Sequence, residues 1–133
     1  MASIFTKIIN GEIPSYKIAE NEHYYAFLDI NPAAKGHTLV VPKLETDYLF
    51  DLPDEVLGGL MQFAKPIARA LDAAFQPIRT GVIVEGLEVP HAHVHLIPMY
   101  ADRRGFSLGK KVDFTPEEMA EIVAAVRSAL DAG

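Results

Sequence analysis

The sequence predicts an α+β domain: about five short strands in an antiparallel sheet, one long central helix and a C-terminal helix. Two observations support it. Short runs of β-branched and aromatic residues, bounded by turn dipeptides, lie on both sides of a long segment with helical periodicity. A second helical segment closes the chain, so the order is strands, helix, strands, helix. With 133 residues, a single domain over 1–133 is expected, large enough to bury a core.

Residues 4–9 are a short apolar-polar segment ended by the turn dipeptide Asn10-Gly11. After Pro14 come two strands, about Tyr16–Glu20 and Tyr24–Leu28, with Asn21-Glu22 between them. Asn31-Pro32 breaks the second, Lys35-Gly36 opens a third at His37–Val41, and Pro42 stops it. Over 53–75, Leu57, Leu60, Met61, Ala64, Ile67, Ala68, Leu71 and Phe75 recur at helical spacing. Pro53 with Asp54 and Glu55 suits the start of that helix, where negative charge meets the positive end of the dipole. Pro66 lies inside it at a cost of up to ~3 kcal/mol, so a kink or break near Lys65 is expected.

Two further strands are expected at about Gly81–Glu85 and His91–Ile97. Residues 101–111, with Arg103, Arg104, Gly105 and Gly109, read as a polar loop. Thr115-Pro116-Glu117-Glu118 places Thr at N-cap, Pro at N1 and Glu at N3, a capping box for a helix to about Asp131 that buries Met119, Ile122, Val123 and Val126. A five-stranded open sheet leaves two edges, one of which is often hidden in a dimer.

Composition narrows the function. The chain carries 12 Lys plus Arg against 18 Asp plus Glu, a formal charge of −6, so a nucleic-acid polymer is not the expected partner and a nucleotide ligand would be small and pocketed. With no cysteine, a disulfide framework, a thiolate metal site and a cysteine nucleophile are excluded. The first residues lack an apolar signal region, and the longest apolar run, Ile122 to Val126, is far too short to cross a bilayer. A cytoplasmic location without membrane partners is the expectation.

The chemistry concentrates in His91-Ala92-His93-Val94-His95-Leu96-Ile97-Pro98. On a strand the three imidazoles share one face, spaced roughly 7 Å apart, and Ala92, Val94 and Leu96 share the other. Three readings compete. A merely solvent-facing strand would carry Thr, Lys, Glu or Ser, and none is present. A zinc site needs bonds of ~2.0–2.1 Å, which the outer histidines of a straight strand, about 14 Å apart, cannot both supply, although two neighbours plus His37 could. The third reading is nucleophilic catalysis. A neutral imidazole attacks phosphorus or an acyl centre while its other nitrogen is held as a donor, and neighbouring histidines bind the transferred group and protonate the leaving group. That reading is favoured.

The octapeptide matches the H-φ-H-φ-H-φ-φ motif of the histidine triad (HIT) family of nucleotide hydrolases and transferases. Ile4-Phe5-Thr6-Lys7-Ile8-Ile9-Asn10-Gly11-Glu12-Ile13-Pro14, Ala26-Phe27-Leu28-Asp29-Ile30-Asn31-Pro32 and Gly36-His37-Thr38-Leu39-Val40-Val41-Pro42-Lys43 also resemble family segments, in the right order, and look most like the Hint branch. The resemblance implies a HIT-like fold, a homodimer with a continuous sheet, and cleavage at the α-phosphate of purine nucleotide conjugates such as phosphoramidates, with no metal or other cofactor. It implies His93 as the nucleophile that forms a nucleotidyl-histidine, His95 on the phosphate, His91 as a hydrogen-bonding support and His37 beside them. It further implies Asp29 on the ribose hydroxyls and an apolar cleft for the base from Ile4, Phe5, Ile8, Phe27 and Ile30. These five equally suit a core role.

Departures from the pattern cluster before the triad. Family members usually carry Asn-x-Gly, a glycine-rich stretch and Gln-Ser/Thr-Val, which donate to the phosphate and leaving group. Here Val84-Glu85-Gly86-Leu87-Glu88-Val89-Pro90 is shorter, with Val84, Leu87 and Glu88 in place of Asn, Gln and Ser/Thr. A histidine usual two residues after the Pro-Lys pair is Glu45. Losing one preorganised donor costs on the order of 10²–10³ in rate. The alternative is therefore a nucleotide-binding or regulatory dimer with little turnover. Arg103 and Arg104 are read as a solvated loop rather than as replacement positive charge.

Overall fold

The computed structural model describes residues 2–101 and 111–132; Arg103, Arg104, Gly105 and Gly109 lie outside them. Five strands, β1 (Lys17–Glu20), β2 (Tyr24–Leu28), β3 (Thr38–Pro42), β4 (Arg79–Ile83) and β5 (Val94–Met99), form one sheet in the order β1-β2-β3-β5-β4. Every neighbouring pair is antiparallel. Among the described residues, three helices, α1 (Ile4–Ile9), α2 (Asp54–Phe75) and α3 (Pro116–Ala132), complete the α+β fold, with one 3-10 turn at Leu49–Asp51. Among the described residues, no helix is long and apolar enough to cross a membrane.

Alternation along the strands divides the molecule into layers. Tyr24, Ala26 and Leu28 of β2, Val40 of β3, and Val94 and Leu96 of β5 face the main core with Leu60, Ala64, Ile67 and Leu71 of α2 and Met119, Ile122 and Val126 of α3. Tyr25, Phe27, Leu39 and Val41 point to the opposite face and pack with Phe5 and Ile8 of α1. His95 is opposite Leu39 in the β3–β5 register and so belongs to this second face. The sheet thus separates a two-helix core from the face that carries the histidines.

Local chemistry explains where the elements begin and end. Residues 4–9 are helical because Ser3 caps them, its Oγ accepting the Thr6 amide at 3.0 Å. The Thr115/Glu118 box is reciprocal, Thr115 N–H to Glu118 Oε1 at 2.8 Å and Glu118 N–H to Thr115 Oγ1 at 3.1 Å. The break expected near Lys65 does not occur, and α2 runs through Pro66. Gln62 and Pro66 are both on its exposed side, where water can hydrate the carbonyl that loses its amide partner. Met61 is also outside the core, 45% exposed.

The largest correction concerns the triad. The strand expected at His91–Ile97 begins only at Val94, and the fourth strand starts two residues earlier than expected, at Arg79. Pro90 removes one ladder donor, the His91 amide turns back to Val89 O at 2.8 Å, and the Ala92 amide bonds Thr46 O at 2.7 Å. His91 and His93 therefore sit on a loop entering the strand, and only His95 is part of the ladder.

Candidate active site

Leaving the straight strand brings the histidines together. The rings of His93 and His95 have centroids 4.9 Å apart, and those of His37 and His95 5.1 Å apart. His37, His91, His93 and His95 are all buried. Gly36 precedes His37 with φ +91° and lets the chain turn into β3.

Each ring has its tautomer assigned by a neighbour whose role is unambiguous. The Ala33 amide donates to His37 Nδ1 at 2.9 Å, so neutral His37 carries its proton on Nε2. That proton is donated to His95 Nδ1 at 2.9 Å, which leaves the His95 proton on Nε2. The carbonyl of His91 accepts from His93 Nδ1 at 2.7 Å, so the lone pair of His93 is on Nε2. Pro42 O accepts from His91 Nε2 at 2.8 Å, and the Ser3 hydroxyl donates to His91 Nδ1 at 2.7 Å. Among the described residues, His93 Nε2 and His95 Nε2 have no hydrogen-bond partner, and no buried side-chain polar atom lacks one, so both atoms reach solvent. One is a bare acceptor and the other a bare donor.

Electrostatics favours the neutral form of His37, His91 and His95. Burial lowers the pKa of His37 against the opposing pull of Asp29, and burial lowers that of His91 against its hydrogen bond to Pro42 O and the charge of Glu45. His95 is pushed down to about 4 by burial, then by the neighbouring His37 and His93. Neutral imidazole with one nitrogen tied and the other free is the form that acts as a nucleophile.

Asp29 stands at the end of β2 with Oδ1 accepting the Asn31 amide at 2.8 Å and Oδ2 3.5 Å from His37 Nε2. Asp29, His37 and His95 place three possible metal-ligand atoms within 4.8 Å of one another. The facing atom of His37, however, is the Nε2 that the Ala33 amide obliges to carry a proton, so it donates rather than ligates.

The five apolar residues divide. Phe5, Ile8 and Phe27 are buried in the second cluster, with Phe5 edge-on to Phe27 at 5.5 Å and to His93 at 5.0 Å. Ile4 and Ile30 are exposed, at 48% and 71%. In the altered loop Leu87 is 89% exposed, and Glu85 and Glu88 are also exposed. Sequence reasoning missed Ser3, Thr6 and the Ala33 amide as neighbours of the rings, and treated Glu45 only as a departure. The signal available was Ser3 as a capping residue directly before Ile4-Phe5.

Comparison with known proteins gives a consistent result. A family model described as the HIT domain matches residues 10–102. The adenosine 5′-monophosphoramidase of Saccharomyces cerevisiae is 42% identical over 109 residues, which cover 81% of this chain and 69% of that protein. A Hit-like protein from Bartonella henselae superposes with a TM-score of 0.85 at 32% identity, covering 96% of this chain and 95% of the other. A zinc-bound histidine triad family protein from Mycobacterium smegmatis gives a TM-score of 0.84 at 30% identity, covering 99% and 95%.

Proposed function

The chain belongs to the histidine triad family, and we propose that it is a nucleotide hydrolase that cleaves the α-phosphate bond of purine nucleoside phosphoramidates or related conjugates. The observation that carries the proposal is the pairing of His93 Nδ1 with its own loop carbonyl, which leaves Nε2 unprotonated and open. The phosphoramidase named among its relatives supports the substrate class.

In the proposed reaction His93 Nε2 attacks the α-phosphorus and the bond to the leaving group breaks. The Nδ1–H stays on the His91 carbonyl while positive charge builds up on the ring. His95 Nε2–H donates to the phosphoryl oxygens or to the departing atom. Water then attacks the phosphorus and the bond to His93 Nε2 breaks; the proton lost by the water replaces the one taken by the leaving group, and His93 returns to its starting tautomer with the nucleoside monophosphate released. Asp29 accepts hydrogen bonds from the ribose hydroxyls, and the exposed Ile4 and Ile30 flank the base, with Phe5, Ile8 and Phe27 as the packed wall behind them. The proposed protomer works as a homodimer whose sheet continues across the β4 edge, where Val82 and the following Val84 are both exposed.

A binding dimer with little turnover is the second reading, favoured by the exposed, apolar Leu87 where the family pattern has a donor. One experiment separates the two. Adenosine 5′-phosphoramidate is incubated with the protein in EDTA, AMP release is followed, and His93→Ala is run in parallel. Release that survives chelator and vanishes in the variant supports the hydrolase. AMP binding without release supports the binding dimer, and release by His93→Ala at the wild-type rate refutes the nucleophile.

A further inference from the structure

We propose that Glu45 is a positioning residue of this site: with Ser3 and Thr6 it clasps the start of α1 to His91, and through His91 it aligns His93. Glu45 Oε1 accepts both the Ser3 amide at 2.7 Å and the Thr6 hydroxyl at 2.5 Å, from positions 42 and 39 residues away in sequence. Ser3 Oγ accepts the Thr6 amide and gives its only proton to His91 Nδ1. His91 in turn offers the carbonyl that holds His93 Nδ1. From the carboxylate to the nucleophile, every link between residues is a hydrogen bond whose direction is set by its neighbours.

The clasp matters because α1 cannot hold itself in place. It has six residues, well below the roughly 12–15 that an isolated helix needs in water, so its stability comes from its anchors. Phe5 lies between the two clasped residues, and its ring is 5.0 Å from His93 and 5.8 Å from His91. A shift of the Ser3–Thr6 turn moves the apolar wall and the support of the nucleophile together. Nothing else in the segment Leu44–Asp47 bonds α1 through a side chain among the described residues, so Glu45 is the one side-chain tie from this loop. The two hydrogen bonds also hold the Glu45 carboxyl down at about 2, ionised throughout the working range.

The catalytic part of this inference rests on the hydrolase reading, while the anchoring part does not. The test compares the wild type with Glu45→Gln and Glu45→Ala. A glutamine keeps the accepting oxygen without the charge, and an alanine removes both. Amide hydrogen exchange in α1 and the ring 15N signals of His91 and His93 are recorded by NMR, and kcat/KM is measured on adenosine 5′-phosphoramidate. In Glu45→Ala we expect α1 amides to exchange at least about tenfold faster with sheet amides unchanged, the ring signals to shift, and kcat/KM to fall roughly tenfold, a partial misplacement of the reacting group. Glu45→Gln is expected to stay within about threefold of wild type. Wild-type exchange in Glu45→Ala, faster exchange with unmoved ring signals, or equal damage in both variants would overturn the proposal. If the wild type does not turn over the phosphoramidate, the hydrolase reading fails alone, because exchange and ring signals still decide the clasp.

Discussion

His37 Nε2 lies 2.9 Å from His95 Nδ1, and the direction of that hydrogen bond is decided by the amide of Ala33, which occupies the far nitrogen of His37. A backbone N–H cannot change its role, so the proton order runs one way, from Ala33 through His37 to His95, and ends in an open Nε2–H. Replacing His37 by Ala should let the His95 ring choose either tautomer. We expect kcat to fall by about 10–10² with KM changed far less, since positioning and not binding is lost. His37→Asn, whose amide can donate to His95, should recover part of the loss. Single-turnover kinetics with a nucleoside phosphoramidate checks both, and an unchanged kcat in His37→Ala would remove His37 from the site.

Buried neutral histidines also give the fold a pH signature. His95 titrates at about 4 against an ordinary 6.5, and His37 and His91 are lowered in the same direction by burial. The unfolded chain therefore binds more protons than the folded one between these values. Stability is fully present above about pH 6.5 and is lost progressively as the pH falls toward 4. Thermal melts should show a flat Tm from pH 8 to 7 and a decline below ~6.5, with a shallower decline in His95→Asn. A Tm that rises on acidification from 6.5 to 5 would contradict the burial argument.

Much of this architecture was legible because it rests on local patterns. Tyr24–Leu28 alternates between two clusters, α2 repeats its apolar face, and the Thr115/Glu118 box closes as its residue types demand. The triad's shape was not legible. A period of two cannot reveal that the Ala92 amide pairs with Thr46 O and holds His91 and His93 outside the ladder. Nor could residue type alone separate Phe5 from Ile4. Both are apolar and adjacent, and only the docking of α1 on Phe27 and Leu39 puts one in the core and the other in solvent. The tolerance of Pro66 likewise depends on which side of α2 meets water.

That division between Phe5 and Ile30 can be tested by separating stability from binding. Phe5 is buried against Phe27 and His93, so Phe5→Ala should destabilise the fold by ~3–5 kcal/mol in urea unfolding. Ile30 is 71% exposed, so Ile30→Ser should change stability by no more than ~0.5 kcal/mol. If Ile30 flanks the base, the same change should raise KM for an adenosine substrate several-fold, by roughly the value of one lost apolar side-chain contact, ~1 kcal/mol. Equal KM in Ile30→Ser and wild type would place the base elsewhere.

The loop before the triad offers the most direct gain-of-function experiment. Leu87 is 89% exposed and Glu88 is also in solvent, so neither is held by packing and both can be exchanged without disturbing the fold. Leu87→Gln with Glu88→Ser restores the residue types usual in the family and adds donors for a phosphate or leaving group. It also removes a carboxylate whose charge repels the anionic phosphoryl group. A well-placed donor is worth on the order of 10²–10³ in rate, and two donors on an exposed loop should recover about tenfold in kcat/KM. The gain should diminish at high salt only to the extent that removal of the Glu88 charge causes it, because an exposed charge is screened and a hydrogen bond to the transition state is not. Comparing Glu88→Ser alone, Leu87→Gln alone and the pair at low and high ionic strength separates the two contributions. No gain from any of the three would mean that the leaving group departs away from this loop and that its composition is not what limits the reaction.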